Sequence, residues 1–344
     1  MNFDLMVGDL SWQESADLAR RLEAAGYGGM LFTETSQTPW MSVAAAATAA
    51  PGLHFGTGIA VAFPRSPMIT AQIAWELAMN TQGRFRMGLG SQVRGHVVRR
   101  YGALFDRPAP QMTDYVKAFR ACIRAFRGEE RLSHEGEYYN LSYLPPQFSP
   151  RRHDYEDIKL DISAVGPRMC RMAGELCDGI HVHPWHSVEY LEKRLLPDVA
   201  MGAEKGGRDR REVDLIIPVF AVVGDTPEER SHLIKLARTQ IAFYGSTPNY
   251  AFQFDDLGFE GTTAKLGRLM KEGNFPAMSE LISDEMLDHY ALVANWDDMA
   301  DQLIKRYSAI ATRIVSYLTQ ADIRRRPEHF DRWAEIAQAV ASGP

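Results

Sequence analysis

Cysteine is scarce in this chain: Cys122, Cys170 and Cys177 are the only three in 344 residues. An odd count with no Cys-x-x-Cys pair argues against a disulfide framework. Cys170 and Cys177, seven apart on one face of an expected helix, read as small buried hydrophobes, and the expected compartment is the cytoplasm. Long apolar runs are lacking as well. None reaches the roughly 18 residues of a spanning helix, and the opening Met1-Asn2-Phe3-Asp4-Leu5 has neither the basic nor the apolar part of a signal peptide. Positive charge is short: 38 basic against 44 acidic residues give a formal net charge of −6. With no surplus to displace counterions from phosphates, nucleic acid is not the expected partner. Also missing is the third glycine of a dinucleotide fingerprint after Gly88-Leu89-Gly90, which leaves that motif weak as a Rossmann loop.

What is present is an average globular balance, 45% hydrophobic and 24% charged. Strand-like and helix-like patterns alternate throughout. The expected strands are Phe3–Val7, Gly29–Thr33, His54–Ala60, Phe85–Leu89, Ile158–Ala164, Gly179–Val182, Leu215–Val223 and Arg313–Leu318. Eight βα units in one domain over residues 1–344 predict a (β/α)₈ TIM barrel, with a doubly wound sheet as the alternative. Helix starts are marked by Ser11 with Glu14, by Thr226-Pro227 with Glu229, and by Asn295 with Asp298. A last helix, about 327–340, is expected to cover one end of the barrel. Two connections exceed simple loops. Residues 91–157 hold a helix (112–126) and a strand-like pair (134–141), and residues 246–294 read as helical. Barrel active sites are built on such loops at the strand C-termini.

Several strand ends carry chemistry-bearing residues. Glu34, closing the second strand, reads as catalytic or as a loop cap. Thr57–Pro67 offers small residues that let a planar ligand approach, or an ordinary strand end capped by Ser66. Gly90 and Ser91 lead into Arg94, His96, Arg99 and Arg100, a basic cluster suited to an anionic cofactor tail or to a solvated face. Gly166-Pro167-Arg168 starts a helix with free amides, a phosphate cradle in principle. His181 and His183, two apart in a strand, face the same way, so a metal-dependent barrel hydrolase is a rival from another class. No further strand-end ligands complete such a site, and no metal is expected.

Together these segments resemble the luciferase-like flavin and F420 oxidoreductases over essentially the whole chain. The resemblance rests on Ala25-Gly26-Tyr27 before Thr33-Glu34-Thr35, and on Gly58-Ile59-Ala60-Val61 with Arg65-Ser66-Pro67. It continues in Gly83-Arg84-Phe85 with Gly88–Ser91, in Gly166-Pro167-Arg168, and in Ala173-Gly174-Glu175 running to Asp178-Gly179. Glu34-Thr35, Gly90–Arg94 and His183-Pro184 are most similar to an F420-dependent subgroup. The resemblance implies a cis peptide at Gly58-Ile59, bulged with Ala60 against a deazaflavin ring. It implies phosphate contacts at Val165 and Gly166, next to Pro167 and Arg168, and places His183 beside the ring. Where F420-dependent glucose-6-phosphate dehydrogenase has an Asp-His pair, this chain has Glu34-Thr35, so sugar-phosphate oxidation is not implied. The expected function is hydride transfer between F420 and a small organic substrate. Glu34 or His183 is the candidate proton donor or acceptor, Trp40 and Phe63 are candidate pocket walls, and the expected assembly is a homodimer. The alternatives are an FMN-dependent luciferase-like monooxygenase and the metallohydrolase built on His181 and His183.

Overall fold

The computed structural model describes residues 1–343. Its strands, in chain order, are β1 (Asn2–Val7), β2 (Gly29–Phe32), β3 (His54–Thr57), β4 (Ala60–Val61), β5 (Phe85–Gly90), β6 (His134–Glu135), β7 (Asn140–Leu141), β8 (Lys159–Ser163), β9 (Gly179–His181), β10 (Asp214–Val223), β11 (Ala291–Ala294) and β12 (Arg313–Ser316). The ring β1-β2-β3-β5-β8-β9-β10-β12 is parallel throughout and closes where β12 pairs with β1. This is an eight-stranded α/β barrel, and all eight expected strands supply its staves. No helix among the described residues is long and apolar enough to cross a membrane.

Two expectations are corrected. The run His54–Ala60 is not one strand: β3 stops at Thr57, and the chain resumes as β4, paired to β5, after a cis Gly58-Ile59 bond. The 246–294 connection is not wholly helical. Its last four residues form β11, parallel to the outer half of β10, Phe220–Val223. Four apolar residues between two helices carry no period of their own, and the partner edge that makes them a strand is remote in sequence. The strand-like pair at 134–141 is the small antiparallel hairpin β6–β7.

Helix starts follow their capping chemistry. Ser11 and Glu14 form a reciprocal capping box ahead of helix Trp12–Ala24, and Thr226 accepts from the Glu229 amide ahead of Pro227–Gly245. Asn295 caps Trp296–Tyr307 without a side-chain bond to the helix amides. The last helix, His329–Ser342, lies outside the barrel against β1 and helix Trp296–Tyr307.

Alternation along the staves stacks the interior in layers. Near the strand N-termini Arg313 meets Asp4 at 2.6 and 2.7 Å, while Arg86 bridges Asp161 and Asp214 at 2.7 Å each. Above them Met6, Leu31, Ile216 and Val315 pack as a separate apolar layer. His181 enters beside them where Gly88 has no side chain; a Cβ there would lie 1.9 Å from the Thr57 carbonyl oxygen and 2.5 Å from the His181 Nε2. The barrel is thus filled from below, and what it offers to a ligand is its C-terminal rim.

Candidate active site

The rim is organised around the break in the third stave. Gly58 donates to the Phe32 carbonyl at 2.9 Å, and Glu34 donates its amide to the Ile59 carbonyl at 3.3 Å. The Glu34 carboxylate is buried, with one oxygen 2.7 Å from the Val61 amide. Arg65 closes on it with Nη1 at 2.8 Å and Nη2 at 2.5 Å, and also donates to the Val61 carbonyl at 2.8 Å. Both carboxylate oxygens are therefore engaged, so Glu34 is built into the bulge as a brace. Trp40, half-buried, faces the Arg65 guanidinium at 5.4 Å, and buried Phe63 meets Phe105 edge-on at 5.7 Å. Ala60 is buried in β4, while the Ile59 side chain lies over Gly90, where a Cβ would come within 2.7 Å of it.

The loop beyond Gly90 and Ser91 leans toward the Glu34 side. Arg94 donates to the Phe105 carbonyl at 2.5 Å, and Arg100 to the carbonyl of Thr35. Thr35 lies three strands round the ring from Gly166. The basic cluster read as suited to an anionic cofactor tail is thus anchored, through two of its arginines, away from Gly166.

Beyond β8 the chain turns at Val165 into helix Pro167–Leu176, with Gly166 as N-cap. The Val165 carbonyl accepts from the Tyr190 hydroxyl at 2.8 Å, which fixes the turn. Pro167 has no N–H, and the amides of Gly166 and Arg168 bond to no described residue. The position that a Cβ on Gly166 would occupy has nothing within 4 Å, and Arg168 is exposed with no ion-pair partner among the described residues. Open space, free amides and a loose guanidinium at a helix N-terminus make an anion cradle.

His183, just past β9, is half-buried between the rings of Tyr244 (4.6 Å between centroids) and Tyr250 (5.0 Å). Its Nδ1 lies 3.2 Å from the Trp185 amide nitrogen and 3.3 Å from the Trp185 carbonyl oxygen, which ties the ring to its own loop. Burial pushes its pKa down to about 4, so the ring is neutral near pH 7. His181, facing the same way one layer deeper, is likewise pushed by burial to about 4, with Nδ1 unpartnered and Nε2 3.9 Å from Asp161. The two histidines differ in layer and company, and no cluster of three or more His, Cys, Asp or Glu side chains suited to a metal occurs among the described residues.

Four rim residues carried no expected role: Tyr190, Tyr244, Tyr250 and Tyr317. The one signal available was for Tyr317, two places beyond Val315 on the last stave and so inward by alternation. Arg65 stood in a motif, but nothing in sequence tied it to Glu34.

The sequence profile of the luciferase-like monooxygenases matches residues 3–313. An uncharacterized protein of Mycobacterium tuberculosis is 36% identical over 301 residues, covering 88% of each chain. The 5,10-methylenetetrahydromethanopterin reductase of Methanolobus tindarius is 23% identical over 306 residues, covering 88% of this chain and 89% of its own. Among solved structures, the coenzyme F420 dependent tetrahydromethanopterin reductase from Methanopyrus kandleri superposes with a TM-score of 0.80 at 18% identity, over 99% of this chain and 98% of its own.

Proposed function

The chain belongs to the luciferase-like monooxygenase family, an oxidoreductase family, and from that premise we propose that it holds the deazaflavin F420 in its barrel mouth and transfers a hydride between it and a small organic substrate. The observation that carries this reading is the pairing of two features on one rim: the break in the third stave between β3 and β4 and an open anion cradle at Gly166–Arg168. A ligand with a flat ring and a phosphate tail fits that pair. The F420-dependent reductase of the same fold supports the choice of F420.

When bound, the deazaflavin supplies the carbon centre that gives or accepts hydride. The protein contributes position and environment. Gly58, Ile59 and Ala60 with Gly90 and Ser91 form the surface for the ring, and Glu34 with Arg65 holds that surface through Val61. Val165, Gly166, Pro167 and Arg168 receive the phosphate. His183, neutral and held by the Trp185 backbone, would be a hydrogen-bonding group beside the ring. Trp40 and Phe63 are walls on the bulge side.

The test is a fluorescence titration of the purified protein with F420 and, separately, with FMN. Saturable binding of F420 with FMN weaker supports the reading; binding of FMN alone overturns it in favour of a flavin monooxygenase.

A further inference from the structure

On the rim opposite the bulge, two phenols meet. Tyr317 follows β12 and packs on the Met6, Leu31, Ile216 and Val315 layer, with its ring edge-on to Phe220 at 5.3 Å. Tyr244, near the end of helix Pro227–Gly245, brings its hydroxyl to 2.7 Å from that of Tyr317. The Tyr244 ring also stands edge-on to His183. In the order of the barrel, β10 and β12 lie across from β3 and β5, so this wall faces the Ile59 and Gly90 side.

Both phenols are half-buried, and burial raises the pKa of each, so both keep their protons at neutral pH. Two hydroxyls that share one hydrogen bond have one proton left over. That proton has no acceptor among the described residues, and the first hydrogen bond polarises it. Three groups shape this wall electrically: Tyr244, Tyr317 and His183. Their hydrogen-bond partners among the described residues are one another and the Trp185 backbone, and none of the three pairs with an Asp, Glu, Lys or Arg side chain. A carboxylate or ammonium brought here would lose water and find no counter-charge. A carbonyl or alcohol oxygen would gain a donor.

We propose that the Tyr244–Tyr317 hydroxyl pair is the binding site for the oxygen of an uncharged substrate, a ketone, aldehyde or alcohol, and that it sets the enzyme's preference against ionic substrates. The assignment rests on the reading of the opposite wall as the cofactor surface. Tyr317 and Tyr244 act as specificity residues, with Tyr317 seated over the barrel axis. Tyr250 contributes its ring to His183, while its hydroxyl bonds to no described residue.

The experiment is saturation-transfer NMR with four probes, cyclohexanone, cyclohexanol, cyclohexanecarboxylate and cyclohexylammonium, on the full chain with and without F420. The ketone and the alcohol are expected to bind and the two ions not to. The double replacement Tyr244→Phe with Tyr317→Phe should weaken the ketone about three- to tenfold, the worth of one hydrogen bond, and each single replacement less, since the remaining hydroxyl still donates. F420 affinity should stay within about twofold, since the lost contact is not to the cofactor. Tyr250→Phe should leave ketone affinity unchanged. Equal binding of carboxylate and ketone, unchanged ketone affinity in the double phenylalanine variant, or an equal loss in Tyr250→Phe overturns the proposal. Failure of F420 to bind the unaltered protein defeats the cofactor reading alone, because the ketone arm without F420 still decides the hydroxyl pair. A ketone that binds in neither state defeats the pair.

Discussion

Glu34 and Arg65 meet fork to fork, one guanidinium nitrogen on each carboxylate oxygen, 31 residues apart and shielded from solvent. A buried pair of this kind costs most when one partner alone is removed, since the other charge is stranded. Glu34→Gln and Arg65→Gln should each lower the unfolding free energy by about 3 kcal/mol. The double variant should lose less than the sum of the two. Urea unfolding of the four proteins measures this; strictly additive losses would show that the pair does not act as a unit.

Arg168→Ala should weaken F420 binding by about 1–3 kcal/mol, the range of a charge-assisted contact to phosphate. Because the contact is ionic and exposed, the difference from the unaltered protein should shrink as salt rises. An affinity that does not move in fluorescence titration places the anion elsewhere on the rim.

Three histidines share one acid response. His181, His183 and His186 are all pushed by burial to about 4, below their ordinary 6.5. The unfolded chain takes up these protons first, so their contribution is complete above about pH 6.5 and is lost as pH falls toward 4. Each should tilt stability by about 1.4 kcal/mol per pH unit within that window. His181→Gln should flatten the slope by one such increment. Denaturation midpoints between about pH 7 and pH 4.5 carry the answer, and an unchanged slope would mean His181 is charged in the folded protein.

Replacing His183 with alanine removes a ring that two tyrosines pack against, together with its hydrogen-bonding nitrogens at the mouth. F420 affinity should fall, and added zinc should neither restore nor alter it. Restoration of binding or activity by zinc, together with stoichiometric metal in the purified chain, would favour the hydrolase alternative.

The staves were legible because a parallel barrel repeats one pattern eight times, with a short apolar run, a cap and a helix in each unit. Ser11, Thr226 and Gly166-Pro167 announced their helices from a few neighbouring residues. The site was legible only where one segment carries it alone. Gly166 and its amides belong to a single turn, and Gly58-Ile59 to a single strand. Glu34 was seen at its strand end, but its role depends on Arg65, which reaches it from beyond β4, 31 residues away. Tyr244 and Tyr317 lie 73 residues apart on a helix and a strand end, and no spacing rule links them. β11 was hidden for the same reason, its partner being the far half of β10.

That far half of β10 serves a different master from the near half. Asp214–Val219 completes the closed ring with β9 and β12, while Phe220–Val223 continues past those pairings and takes β11 as its strand partner. The segment from Ser246 to Ala294 is therefore plugged into a socket outside the ring's own hydrogen bonds. Evolution or an engineer can exchange that module, Tyr250 included, and so redraw one side of the mouth while all eight ring pairings stay as they are.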